Sequence, residues 1–357
     1  MKVGFLSIDV KTVNEREARI VMFDNGHTAD LFLTVSADNI EWAVTQIRTV
    51  CDVIVIEGNT DAFYNAYKDR LSASPENFEL DGKCYAITEK ATDAFVSGRL
   101  VSLLSSKNKK NRFKSIVFKT YGKSEAELRA MLKDFIKGNK KIKIGFFPEA
   151  DECEVHARYP LSMELSALPD ISMQINKILY SCIYTYDRIG IAEVVAKMLA
   201  ENGLKLKIAE SFTGGGIASA LTAVPGASAF LTEGLVTYSV GSKVKRLYVP
   251  MDVIAEHGVV SSDTVYGMAA GLLNSGDCDV AIATTGNAGP SVGGNGEVGL
   301  CYIAIGDAKE VHIVKYTFDG DRAQNIASGV KKALFLLYEY LACYEAGKDE
   351  REPVAAE

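Results

Sequence analysis

No stretch of this 357-residue chain reaches the roughly 18 consecutive apolar residues that a membrane-spanning helix needs. Met1-Lys2 leads straight into an alternating, strand-like run, so a cleavable secretory leader is not expected. The seven cysteines (Cys51, Cys84, Cys153, Cys182, Cys278, Cys301, Cys343) are scattered and form no CxxC pair. That usage suits reduced thiols and speaks against a disulfide framework or a zinc site. Histidine is scarce: His27, His156, His257 and His312 are the only four, and no two stand at metal-ligand spacing. Positive charge is also short, with 39 Lys and Arg against 46 Asp and Glu, a formal net charge of -7. A mildly acidic balance argues against nucleic acid as the main partner. Neither a P-loop ending in GK[ST] nor a GxGxxG opening a helix occurs, which weakens any Walker or dinucleotide reading. From these absences a soluble, cytoplasmic protein is expected, with no metal site and no membrane partner.

What is present is an α/β pattern long enough for two or three domains. Residues 2–8, 18–23 and 28–35 read as strands, with β-branched and aromatic residues in alternation. Residues 39–50 have helical spacing, with Asp38 as candidate N-cap. The apolar run at residues 52–56 (DVIVI) suits a strand buried on both faces. Residues 89–104 look helical, and the polar, basic stretch 105–114 suits a linker. A unit of about 70 residues follows, reading β-α-β-β-α, in which Ser124 and Glu127 form a capping-box pattern and residues 171–184 look helix-like. From Gly190 onward, short strands and helices alternate up to a long closing helix at 322–341, the pattern of a layered sheet covered by helices. The charged tail from Glu345 is expected to fray. No internal repeat or low-complexity tract interrupts this order.

Four clusters can carry chemistry. The first is Glu210-Ser211-Phe212-Thr213-Gly214-Gly215-Gly216, between a strand and a helix. A serine at a helix start sits among free N–H groups and a favourable dipole, and glycines admit a ligand close to the backbone. Such a place suits an anionic substrate or an oxyanion. The plainer alternative is an N-cap and a tight turn. The second runs from Val236 to Lys243 (VTYSVGSK). A desolvated lysine can act as the base for a serine, and Tyr238 and Lys243 could reach one pocket. Alternatively, Lys243 is a solvated surface lysine and Tyr238 a core aromatic. The third is Thr284-Thr285-Gly286-Asn287-Ala288-Gly289-Pro290 and the loop 291–299, at the end of an apolar strand, where open α/β sheets place ligands. The fourth is Gly320-Asp321-Arg322, whose arginine could hold a phosphate or pair with a carboxylate.

Taken in order, Glu-Ser-x-Thr-Gly-Gly, Pro225-Gly226-Ala227-Ser228, Thr-Tyr-Ser-x-x-x-Lys, His257-Gly258-Val259-Val260-Ser261, Thr-Gly-x-Ala-Gly-Pro and Gly-Asp-Arg strongly resemble the CinA family over about 150 residues. The resemblance implies a nicotinamide-mononucleotide deamidase that needs no cofactor. Ser211 would attack the carboxamide, Lys243 would act as general base and Tyr238 would assist. Thr213, Gly214, Gly215, Thr285, Gly286, Ala288, Gly289 and Arg322 would bind the substrate. Three positions depart from the family pattern: Phe212 stands for a usual Cys, Asn287 for Ile, and Ile326 for a second arginine. The departures leave an altered substrate or a binding-only role as alternatives.

The resemblance also implies the layout. Residues 1–112 would be a degenerate molybdopterin-binding-like α/β domain, 113–187 a small KH-like α+β domain, 188–345 the layered α/β amidohydrolase domain, and 346–357 a charged tail. In some family members the first domain hydrolyses ADP-ribose. Here Glu57-Gly58-Asn59-Thr60-Asp61-Ala62 replaces the glycine-rich loop and paired aspartates of that site, so that activity is expected to be lost and the domain to be structural or dimerising. The middle domain lacks a GXXG clamp, so its charged surface is read as solvated. A homodimer acting on a small nucleotide, with no membrane contact, is the expected assembly.

Overall fold

The computed structural model describes residues 1–71, 76–107, 112–291 and 296–349, with side chains to residue 344. The centre of the expected linker, part of the loop 291–299 and the last eight residues lie outside the described residues. The chain forms two compact units, Met1–Arg188 and Ile189–Glu357. All three sheets of the described residues combine with helices, so the fold class is mixed α/β.

The first unit begins β1 (Lys2–Ile8), α1 (Glu15–Asp24), β2 (Thr28–Val35), α2 (Ile40–Val50), β3 (Val53–Gly58), α3 (Thr60–Ala66), β4 (Asn77–Leu80), β5 (Lys83–Thr88) and α4 (Val101–Lys107). Its sheet has the order β2-β1-β3-β5-β4, parallel except for β4. The DVIVI run is β3, buried on both faces. Val53 and Val55 pack with Phe5 and Met22, whereas Ile54 and Ile56 pack with Ile40, Val44 and Phe63. One expected strand is wrong: residues 18–23 belong to helix α1. Two parallel neighbours need a crossover, and Asn14 caps this one by accepting from Glu17 N. Ala18, Ile20 and Met22 are all buried, which imitates a two-residue period inside a helix. Nor does Asp38 cap α2; it lies in a 3-10 turn, and Asn39 takes the cap position without a side-chain bond. Residues 89–104 are only partly α-helical, with a π-helical turn at Phe95–Leu100 before α4.

The same unit continues with β6 (Phe113–Tyr121), α5 (Glu125–Met131), α6 (Lys133–Gly138), β7 (Lys143–Glu149), β8 (Glu152–Pro160), α7 (Leu168–Leu179) and β9 (Ile183–Thr185). These strands form an antiparallel sheet of order β7-β8-β6-β9. Ser124 and Glu127 do form the capping box at α5. The stretch 171–184 is not one helix; α7 stops at Leu179 and the chain adds β9 to the sheet edge.

A buried polar network ties α1 to this second sheet. The imidazole of His156 on β8 is fully buried between Asp24 at the end of α1 (2.9 Å) and Glu154 (3.1 Å). Arg16 donates to Glu154 at 2.8 Å, Lys119 lies 3.5 Å from it, and Arg188 pairs with Asp24. Burial alone would lower the His156 pKa, but the hydrogen bonds to the two carboxylates outweigh it and raise it. Burial likewise pushes Glu154 up, and the bonds from His156 and Arg16 overcome this and hold it at about 2.

The second unit contains α8 (Ile191–Glu201), β10 (Leu206–Glu210), α9 (Gly216–Thr222), β11 (Leu231–Val236), α10 (Val240–Leu247), α11 (Met251–His257), α12 (Ser262–Asn274), β12 (Val280–Gly286), β13 (Leu300–Gly306), β14 (Val311–Thr317) and α13 (Arg322–Asp349). The sheet order is β11-β10-β12-β13-β14. The first three strands are parallel and the last two run antiparallel to their neighbours. Ile208, Ala209, Ala281, Ile282 and Ala283 are completely buried, as a sheet covered on both sides requires. Register places Glu210 beside Val236 on one side and Thr284 on the other. The three parallel strands therefore deliver their following residues to one edge. The closing helix runs on to Asp349, past the point where the sequence pattern fades.

The network predicts how the first unit responds to pH. A raised His156 pKa contributes stability that is complete below the ordinary histidine value of about 6.5 and is lost as pH rises through the higher folded value. The depressed Glu154 contributes above the ordinary carboxylate value of about 4.3 and loses this as pH falls toward the folded value. Urea unfolding followed at Trp42 should therefore show a plateau between those limits. His156→Gln should cost about 3 kcal/mol on the plateau and remove the alkaline decline. A decline that persists in the variant would assign it to another group.

Candidate active site

The ladder extends one residue beyond the strands: Ser211 N donates to Thr284 O (3.0 Å) and Thr237 N to Glu210 O (2.9 Å). Ser211 and Thr237 are thus fixed side by side by backbone bonds. The chain then turns into α10, where Ser239 caps the first turn by accepting from Ser242 N. One turn on, Lys243 points back under the sheet edge, with no exposed surface. Its Nζ lies 2.9 Å from Ser211 Oγ, 2.8 Å from Thr237 O and 3.3 Å from Tyr238 O. Burial pushes its pKa down to about 8.

The three acceptors match the three protons of an ammonium group. In the neutral amine the two carbonyls can keep two N–H bonds, and the lone pair is left facing the serine hydroxyl. That arrangement activates a serine without histidine. Lys243 is therefore not the solvated surface lysine that the sequence allowed.

Beside this pair is a cavity of about 290 Å³ lined by Ser211, Phe212, Tyr238, Val259, Val260, the 285–289 stretch, Ser291 and Arg322. Gly286, Ala288 and Gly289 form a wall, as expected. Thr285 also lines it, but its hydroxyl is committed to Val259 O at 2.8 Å, which anchors the His257–Ser261 turn. Arg322 donates to Gly289 O (2.7 Å) and to Tyr238 Oη (3.2 Å). The phenol of Tyr238 therefore meets the arginine, while its carbonyl faces Lys243.

Thr213, Gly214 and Gly215 are absent from the cavity lining, against expectation. The start of α9 is already occupied: Glu210 accepts from Gly215 N (2.9 Å), Ile217 N (3.1 Å) and Ala218 N (2.9 Å). A fixed carboxylate on those amides leaves no helix N-terminus for a substrate anion. Thr213 is buried and bonded to Thr284 Oγ1 at 2.8 Å, so it braces two strand ends.

The ring of Phe212 is buried and lines the cavity beside Ser211. A Cβ on Gly286 would stand 2.5 Å from it and one on Gly329 2.6 Å, so two glycines supply its space. Asn287, unusual by the sequence pattern, is buried in the wall. Ile326 is half-buried and outside the lining, leaving Arg322 as the guanidinium of the cavity.

Two supporting residues escaped the sequence analysis. Glu210 stood in the leading motif, yet nothing local marks it as the cap of its own following helix. Asn325 is fully buried on α13; it accepts from Gly320 N and donates to Ala288 O, tying the start of that helix to the cavity wall. An asparagine four residues after Asp321, which caps α13 by accepting from Gln324 N at 2.9 Å, was the available signal. A larger cavity of about 610 Å³ lies in the first unit. Two of its arginines, Arg19 and Arg129, already face Glu15, Asp30 and Glu125.

The second unit is thus an α/β domain whose parallel strand ends join a serine to a buried lysine. A family model described as the CinA C-terminal domain matches residues 189–341. A CinA-like protein of Geotalea daltonii is 37% identical over 242 residues, 64% of this chain and 58% of the relative. A putative competence-damage inducible protein of Caldicellulosiruptor bescii is 36% identical over 239 residues, 66% of this chain and 58% of the relative. The match thus spans less than two thirds of those curated relatives. A solved CinA superfamily structure from Klebsiella pneumoniae is 35% identical, covers 43% of this chain and 96% of that one, and has a TM-score of 0.42. Residues 189–341 thus match the CinA C-terminal domain, and the chain is similar to CinA-like proteins over about two thirds of its length.

The lowered pKa of Lys243 carries a stability signature. Its folded form binds its proton more weakly than the unfolded chain does, so stability should rise as pH increases from about 8 toward the ordinary lysine value of about 10.4. Chemical unfolding of the second unit should show this rise in the native protein and lose it in Lys243→Met. Glu210→Ala should lower stability by roughly 2–4 kcal/mol, because three helix-start amides lose a charged acceptor. A loss under about 0.5 kcal/mol, the size of an ordinary surface change, would contradict the capping role.

Proposed function

We propose that the second unit is an amidohydrolase that converts nicotinamide mononucleotide and water to nicotinate mononucleotide and ammonia. The carrying observation is the 2.9 Å contact of Ser211 Oγ with the Nζ of a fully buried lysine that has two backbone carbonyls as its other partners. The match of residues 189–341 to the CinA C-terminal domain and the cavity beside Ser211 support the reading.

In the first half-reaction neutral Lys243 takes the Ser211 proton as Oγ attacks the carboxamide carbon. The tetrahedral intermediate then expels ammonia, which receives that proton from the lysine. An acyl ester remains on Ser211. Water, deprotonated by the same amine, attacks the ester carbon and frees the carboxylate and the serine hydroxyl. Atoms balance: one water enters and one ammonia leaves. Arg322, which lines the cavity, takes the phosphate. It would give up its bond to Tyr238 Oη, which frees the phenol to turn with the substrate.

Purified protein should release ammonia from nicotinamide mononucleotide, with EDTA present. Ser211→Ala should abolish release, and Lys243→Met should lower kcat by at least about 10³-fold, the scale of losing a member of such a pair. The rate should climb with pH to an apparent pKa near 8 as the buried amine becomes neutral. Arg322→Ala should raise KM by roughly 10–100-fold with a smaller effect on kcat, the size of one charged hydrogen bond. Unchanged turnover in Ser211→Ala would remove the serine from the reaction.

A further inference from the structure

The first unit contains a site that the proposed reaction does not use. In a sheet ordered β2-β1-β3-β5-β4, the chain leaves β1 to one side and returns on the other, so the topological switch lies between β1 and β3. Open α/β sheets hold their ligands in the crevice beyond the carboxyl ends of such strands. Here the crevice holds the side chain of Glu57, which is fully buried.

Its carboxylate is surrounded by donors from three segments. Ser7 Oγ, from its register partner on β1, donates to one oxygen. From the loop after β1, Thr12 N lies 3.2 Å from both oxygens, Val13 N is 3.2 Å from one, and Thr12 Oγ1 donates to the other. From the loop after β5, Ala91 N is shared between the carboxylate at 3.1 Å and Thr12 Oγ1 at 2.9 Å. All five donors are neutral hydroxyl or backbone groups, the set with which proteins enclose an oxyanion by dipoles alone. Gly58 closes the crevice: a Cβ there would stand 2.2 Å from Ile8 O and 2.8 Å from Val10 O, and its φ is +88°. Asn59 bonds Asp9 across the mouth at 2.8 Å.

We propose that this crevice is a receptor for a small oxyanion, of the carboxylate class, and that Glu57 of the same chain is its resident ligand. The carboxylate joins the loops after β1 and β5, which have no strand pairing of their own. The first unit therefore does not take up a nucleotide phosphate at this point while Glu57 is in place. The inference concerns the first unit and is independent of catalysis in the second.

Glu57→Ala removes the atoms of an acetate group and leaves the five donors. The full-length variant should unfold at a temperature lower by roughly 5 °C or more, the scale for a few lost hydrogen bonds in a unit of this size. Amide exchange at Thr12, Val13 and Ala91 should accelerate. Sodium acetate should restore at least half of the shift and slow those three amides, by mass action on the vacated site. Chloride at equal ionic strength should not, and the native protein should not respond to acetate or phosphate beyond chloride. Glu57→Gln fills the space but turns an amide donor toward the donors; it should be destabilised and indifferent to acetate, and it can be measured even if the alanine variant does not fold. Failure of acetate to restore a folded Glu57→Ala, a Glu57→Gln as stable as the native protein, or an acetate or phosphate response in the native protein would each overturn the proposal.

Discussion

A lysine without a carboxylate, sealed beneath the end of a parallel sheet, is the constraint around which the second unit is arranged. Burying an amine this way opposes its charge, and the surroundings answer with two backbone carbonyls and one hydroxyl. Those carbonyls are available because the chain leaves β11 at Val236 and turns immediately into a helix, so Thr237 O and Tyr238 O are not used in a ladder. The serine is available because the β10 backbone, paired on both sides, fixes Ser211 N to Thr284 O. Moving any of the three strands by one residue would turn its side chains to the opposite face of the sheet.

Much of this was legible in the sequence, though unevenly. Ser211, Lys243 and the wall from Thr285 to Gly289 lie together as the family resemblance implied: Ser211 and the wall continue from β10 and β12, and Lys243 lies on the helix that follows β11. Thr213, Gly214 and Gly215 do not meet the cavity, because a glutamate three to five residues earlier in the chain takes the first amides of the helix they precede. That competition between an internal carboxylate and an external anion is decided in three dimensions, and glycine-rich sequence looks alike in both outcomes. The same limit applies to α1. Its buried residues at 18, 20 and 22 satisfy a strand period, and only the parallel pairing of β1 with β2 demands a helix there. The Ser124 capping box, by contrast, is purely local and was readable as such.

Glu57 on β3 and Glu210 on β10 each stand near the carboxyl end of an interior parallel strand with backbone amides on their oxygens. Glu57 takes amides from two loops and closes the switch crevice. Glu210 takes the first amides of a helix and leaves the adjoining residue free to present a hydroxyl. One residue type thus serves two ends: in the first unit it occupies the place of a ligand, and in the second it holds the neighbouring serine steady.

The single tryptophan, Trp42, stands more than half exposed on α2 of the first unit. Red-edge excitation therefore illuminates one unit alone, and the indole emission of the chain is blind to whatever happens around Ser211 and Lys243. Optical melting of this protein divides by wavelength: indole light for the Glu57 and His156 networks, tyrosine and peptide absorbance for both units together. The difference between the two traces isolates the unit with the buried lysine, with no label and no truncation.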